Sequence, residues 1–161
     1  MAVLRHLPAG CGLLHGSRLI EVGLAAAMLA SSWTEARAQS CVTEVVSVDV
    51  QGQQGPSPSS TGYRCTLSSD GRVVLFWTRS PLVPADTDLI DDVYVRDRIA
   101  GSTELVSVSS TGTKANYDCG AGDITPDGRL VTFDGYATNL VLGDTNNVPD
   151  VFLRDRWTGE T

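Results

Sequence analysis

Two runs in this chain alternate acidic or amide side chains, Asp86-x-Asp88-x-x-x-Asp92 and Asp144-x-Asn146-x-x-x-Asp150. Hard oxygen ligands at alternate positions of a turn suit an oxygen-lined calcium site. Counted from the first aspartate, Asp97 and Asp155 even fall at the twelfth position of an EF-hand loop. The glycine that such a loop needs at its sixth position is absent, however, and the flanks read as strands. The same residues build Asx turns, in which a side chain caps backbone N–H groups ahead of a strand. Such spacings are common in loops, so capping is the first expectation. A Ca2+ ion held by Asp86, Asp88 and Asp92 or by Asp144, Asn146 and Asp150 is the second.

Other catalytic chemistry is poorly supplied. Both histidines, His6 and His15, lie in a segment that reads as an export leader. Arg5 and Arg18 supply positive charge, Val22 to Trp33 is mainly apolar, and Ala36-Arg37-Ala38 is a small-x-small cleavage site, so residues 1–38 are expected to leave as a signal peptide. The apolar run is shorter than the roughly 20 residues a spanning helix needs, and no membrane span is expected after cleavage. The remainder has no histidine, which removes Ser-His-Asp and Cys-His hydrolysis and imidazole-ligated metals unless another chain supplies the base. Of 19 acidic residues only Glu21 and Glu35 lie in the leader, so carboxylate-only glycoside hydrolysis is chemically open, yet nothing marks two of them as a pair. No catalytic residue is therefore expected.

Charge and cysteines narrow the setting. The chain carries a net charge of −7, and losing more arginines than glutamates with the leader makes the rest more negative. Such a surface repels phosphate backbones and anionic lipid, so nucleic acid is not an expected partner. Lys114 is the only lysine. Cys41, Cys65 and Cys119 would meet an oxidising compartment, where one disulfide and one thiol left over is the simplest outcome, with all three pairings open. There is no Cys-x-x-Cys to suggest zinc.

The elements that must position these residues come from an internal repeat. Glu44-Val45-Val46-Ser47-Val48 matches Glu104-Leu105-Val106-Ser107-Val108, and Ser68-Ser69-Asp70-Gly71-Arg72-Val73-Val74-Leu75-Phe76 matches Thr125-Pro126-Asp127-Gly128-Arg129-Leu130-Val131-Thr132-Phe133. Asp86-Thr87-Asp88 matches Asp144-Thr145-Asn146, and DVYVRDRIAGST from Asp92 returns as DVFLRDRWTGET from Asp150. Each block predicts a strand. Val46 to Val50 and Val106 to Ser109 alternate apolar with polar residues; Arg72 to Trp77 and Arg129 to Phe133 are β-branched and aromatic runs introduced by Asp-Gly; Val93 to Arg98 is a third strand. Short inner strands are expected at Cys65 to Ser69 and Asp123 to Pro126. No window after the leader shows a helical period.

Four strands per unit, repeated with a polar loop of variable length, describe a β-propeller blade. The predicted fold is all-β, about two four-stranded antiparallel blades of a partial propeller. After the leader comes a short segment at 39–44 and a repeat region at 45–161. Within it lie a fourth strand of a preceding or closing blade at 45–50, a blade at 63–109 and an incomplete blade at 120–161. The S/T-x-D-G-R block, followed by Asn139-Leu140-Val141-x-Gly143-Asp144-Thr145-Asn146 and Asp150 to Thr161, resembles the TolB-type, WD-like propeller repeats of bacterial exported proteins. The first copy departs from that pattern between Arg79 and Ala85.

The resemblance implies a periplasmic or secreted propeller serving as a platform for a protein or a glycan. The alternative is an enzyme or enzyme subunit of hydrolase type whose catalytic residues lie in further blades or domains. Two blades do not close a ring of about four to eight, so a fragment of a longer protein is expected, with self-assembly into a ring or an open two-sheet stack as the other outcomes. The triplets Arg96-Asp97-Arg98 and Arg154-Asp155-Arg156 are expected to pair with carboxylates of a neighbouring strand, and Trp77 and Trp157 to pack at strand ends, with Trp157 a candidate contact residue. Phe76 and Phe133, like Tyr94 and Phe152, are equivalent and predict a sheet-to-sheet core.

Overall fold

The computed structural model describes residues 43–61 and 66–161. The expected signal peptide, its cleavage site, and Cys41 and Cys65 lie outside the described residues. Within them the chain is all-β, with two antiparallel sheets and no helix, and so no helix long and apolar enough to cross a membrane. The first sheet joins β1 (Ser59–Ser60), β2 (Val73–Thr78), β3 (Asp92–Asp97) and β4 (Ser102–Leu105) in chain order. The second joins β5 (Cys119–Ile124), β6 (Leu130–Gly135) and β7 (Asp150–Asp155) in the same way. An isolated bridge joins Asp155 and Glu160 beyond β7.

The Asp-Gly signals form the turns that launch β2 and β6. Gly71 and Gly128 take φ of 71° and 74°, a region that other residues enter only at a steric cost. The turns close through Gly71 N donating to Ser68 O at 2.9 Å and Gly128 N to Thr125 O at 2.8 Å. Asp70 and Asp127 cap them from inside, each accepting the N–H of the following arginine at 3.0 Å. The strands then pair in the same register in both sheets, so that Phe76 faces Tyr94 and Phe133 faces Phe152. Both ring pairs stack, with centroids 5.8 and 5.3 Å apart.

Two strand expectations are corrected. Residues 46–50 and 106–109 form tight turns instead, with Val48 N bonded to Val46 O at 2.9 Å and Val108 N to Val106 O at 2.7 Å. In the second run the alternation is not that of a half-buried strand, because Val106, Ser107, Val108 and Ser109 are all buried. The serine hydroxyl at position 107 is spent inside, accepting from Val93 N at 3.2 Å and donating to Asp92 Oδ1 at 2.7 Å. The fourth strand of the first sheet lies upstream, at Ser102–Leu105. The first inner strand begins at Ser59, and the expected stretch pairs with β2 as well, through a bridge between Leu67 and Val74; the second starts earlier than expected, at Cys119. β5, with sequence CGAGDI, has almost no strand-forming residue and bulges between Ala121 and Asp123. Gly122 permits that bulge, since a Cβ there would come within 2.7 Å of the Thr132 carbonyl oxygen.

Each sheet has two different faces. Val73, Leu75, Val93 and Val95 of the first sheet share one core with Ile124, Val131, Phe133 and Phe152 of the second. On the other face of the first sheet, Phe76, Tyr94 and Leu105 form a separate core with Leu82 and Val108. The equivalent aromatic pairs therefore occupy different cores. Only Phe133 and Phe152 lie between the sheets, because both units turn the same face the same way.

Candidate functional site

The structure brings Asp86, Asp88 and Asp92 together, with one carboxylate oxygen of each within 4.8 Å of the others. The loop between β2 and β3 supplies the first two, and the first residue of β3 the third. Asp86 and Asp92 are buried, at 4% and 0% exposure. The Lys114 ammonium sits among them, 2.9 Å from Asp88 Oδ1, 2.7 Å from Asp92 Oδ2 and 3.6 Å from Asp86 Oδ1. Tyr94 donates its hydroxyl to Asp86 Oδ2, and Ser107 holds the other oxygen of Asp92. A divalent ion would have to displace the ammonium, so these residues fit a lysine and not Ca2+ as they stand. The turn capping expected of the run is present too: Asp86 Oδ1 accepts Asp88 N at 3.3 Å and Asp88 Oδ1 accepts Ile90 N at 3.2 Å.

Burial governs the protonation of this cluster. It pushes the Asp92 carboxyl up to about 6, with Lys114 and Ser107 holding back part of the rise. Burial also works against the Lys114 ammonium, but Asp92 and Asp88 outweigh it and keep its pKa above the ordinary value. The Tyr94 phenol is raised by burial and by the Asp86 carboxylate, so it stays a donor.

The second run is arranged differently. Asp144, Asn146 and Asp150 line one open cleft of about 630 Å3 together with Val141, Leu142 and Leu153. Asn146 Oδ1 caps Val148 N at 3.0 Å, and Asn147 adopts a φ of 56°. Asp144 Oδ1 is buried without a hydrogen-bond partner among the described residues. Phe152 stands where Tyr94 stands in the first copy, so the hydroxyl that serves Asp86 has no counterpart.

Comparisons with protein-family models, with curated proteins and with solved structures give no match. The relationship that can be measured is the one inside the chain, and it extends to individual atoms. Arg98 bonds Glu44 and donates from Nη1 to Gly71 O at 2.6 Å. Arg156 bonds Glu104 at 2.7 Å and donates from Nη1 to Gly128 O at 2.5 Å. Arg96 Nη1 reaches Asp49 O at 3.1 Å, and Arg154 Nη1 reaches Ser109 O at 3.2 Å. Thr103 and Thr161 donate to the carbonyls of Val48 and Val108 at 2.5 and 2.6 Å.

The Arg-Asp-Arg triplets thus divide their labour. Each aspartate takes the arginine that precedes the neighbouring strand, Asp97 with Arg72 at 2.6 Å and Asp155 with Arg129 at 2.5 Å. Those bonds hold both carboxyls down at about 2. The flanking arginines bind a glutamate or backbone carbonyls outside the sheet. Trp77 packs against the inter-sheet core, whereas Trp157 is exposed, with the Arg129 guanidinium 5.1 Å from its ring centre.

One participant is not picked out by the sequence, and a second takes a role other than the oxygen ligand its place beside Asp92 suggests. Lys114 stands out in the sequence only as the single lysine, and nothing local ties it to the aspartates it meets. Asp91 bridges the units, its carbonyl accepting Cys119 N at 2.7 Å and its N–H donating to Asp118 Oδ1 at 2.8 Å. Cys119 itself is a buried free thiol, pushed up by burial to about 12, which makes it a poor nucleophile.

Proposed function

We propose that this chain is an exported β-propeller module that presents loops to a protein or a glycan and performs no chemistry of its own. The observation that carries the reading is the duplicated bonding network: the residue types that recur are spent on turns, sheet edges and the joint between units. The acidic groups whose pKa is displaced furthest each have a structural partner, Lys114 for Asp92, Arg72 for Asp97 and Arg129 for Asp155. Both histidines precede residue 16, so no imidazole base accompanies these acids in the repeat region. Exposed aromatic side chains, Tyr117, Tyr136 and Trp157, are available for contact, the last held at the edge of that network by the Arg129 guanidinium. The purified chain, assayed on immobilised glycans and envelope proteins in parallel with chromogenic ester and glycoside substrates, tests the proposal. Saturable binding lost on Trp157→Ala or Tyr136→Ala, with no turnover, is expected; turnover abolished by substituting a single carboxylate would overturn it.

A further inference from the structure

We infer that Lys114 and Asp92 become joined covalently: the Lys114 amine condenses with the Asp92 carboxyl to an isopeptide bond, while Asp86 carries the protons and Ser107 steadies the oxyanion. The repeat does not ask for a lysine here. Lys114 pairs with Val108 as Gln54 pairs with Val48, so an uncharged amide stands at the matching place of the first copy, and Lys114 is the only lysine in the sequence. Its Nζ lies 2.7 Å from Asp92 Oδ2 and 3.6 Å from Asp86 Oδ1. The side chains of Asp86 and Asp92 are wholly buried, and that of Lys114 is 13% exposed. An amine and an acyl carbon held this close have the advantage of an intramolecular reaction, and burial keeps water from reversing it.

Each step has a group in place. The ammonium passes one proton to Asp92 Oδ2, leaving a neutral amine and a neutral carboxyl; burial disfavours the charged pair and already pushes this carboxyl up to about 6. The nitrogen lone pair then attacks Cγ. Negative charge gathers on Oδ1, which accepts from the Ser107 hydroxyl at 2.7 Å, itself fixed by Val93 N at 3.2 Å. Asp86, its other oxygen held by the Tyr94 hydroxyl, takes the second proton from nitrogen and returns it to the Oδ2 hydroxyl. That oxygen, which has no donor but the lysine to hold it among the described residues, leaves as water. The C–N bond forms, the Cγ–Oδ2 bond breaks, and ammonium plus carboxylate become amide plus water without oxidant or cofactor. Until then the cluster is the ion pair described above. The product ties the start of β3 to the segment leading into the second sheet, 22 residues on, as a disulfide would. The reaction occurs once within the chain and turns over no outside molecule, so the binding role proposed above neither requires nor excludes it.

A single lysine makes the test direct. The full chain is incubated folded, then denatured and read by intact mass and by labelling of lysine amines. A mass lower by one water, a Lys114 that takes no label, and a protease digest in which the peptides of residues 92 and 114 travel as one branched species are expected. Lys114→Arg should restore the full mass. Asp86→Asn, folded by its near-ultraviolet circular dichroism, should restore it too, and Asp92→Asn should lose ammonia in place of water. A folded natural chain of full mass whose Lys114 labels completely would overturn the inference. So would a water loss that survives Lys114→Arg, since it would then arise elsewhere, as in a succinimide at an Asp-Gly pair. Undiminished condensation in Asp86→Asn would refute the role given to Asp86.

Discussion

Lys114 brings one positive charge to three carboxylates, and this imbalance makes the joint sensitive to pH. Asp92 titrates near 6 in the fold, against an ordinary value of about 3.9. The folded protein therefore holds this proton more tightly than the unfolded chain. The stabilisation that follows is complete below about pH 4 and is lost as pH rises through the folded value. Lys114→Met removes the compensating charge. It should lower the unfolding free energy by about 3–5 kcal/mol at pH 8, where Asp92 is ionised, and by clearly less at pH 5. Urea unfolding at the two pH values measures the difference, and equal losses would show that the ammonium contributes only packing. Asp97 and Asp155 act in the opposite sense: their depressed pKa values add stability above about pH 4 that disappears as pH falls toward 2. For Ca2+, the ammonium closes the first loop. Any calorimetric heat above dilution must come from the second loop and vanish with Asp144→Ala; heat surviving that substitution would contradict the assignment of Lys114.

The strands differ in how plainly their residues announce them. β2, β3, β6 and β7 were legible because β-branched and aromatic side chains follow an Asp-Gly turn or an Asx loop. β5 was placed too late because its residues are small and its position depends on pairing with β6, a non-local fact. Residues 106–109 misled for a related reason, since a serine that bonds to a buried aspartate looks the same in sequence as a serine facing water. The two faces of β6 and β7 should respond unequally to truncation. Phe133→Ala opens the core between the sheets and should cost about 3–5 kcal/mol. Leu153→Ala, on the open face of the same sheet, should change stability by less than about 0.5 kcal/mol. Gly135→Ala should cost about 1–3 kcal/mol by overpacking, because the added Cβ would lie 2.7 Å from Cys119 Sγ and 2.8 Å from Asp118 O. Chemical denaturation of the three variants checks the order.

For the molecule as a whole, the sequence announced two copies of one unit packed on each other, but not the faces through which they meet. The repeat was visible as matched letters, and the equivalent aromatic positions Phe76, Phe133, Tyr94 and Phe152 predicted a core between the sheets. Which face meets which was not visible, since both faces of the first sheet are apolar. The calcium expectation failed to foresee Lys114 for the same reason: the lysine comes from the linking segment, 22 residues beyond Asp92. The claim on which the rest depends is that the second sheet lays its Phe133 and Phe152 rings on the valine and leucine face of the first. Methyl-to-aromatic nuclear Overhauser effects measure this directly. Cross-peaks from the Phe133 and Phe152 rings to methyls of Leu75, Val93 or Val95 are predicted, with the Val151 and Leu153 methyls silent toward the first sheet. Rings that touch no methyl of the first sheet would contradict it.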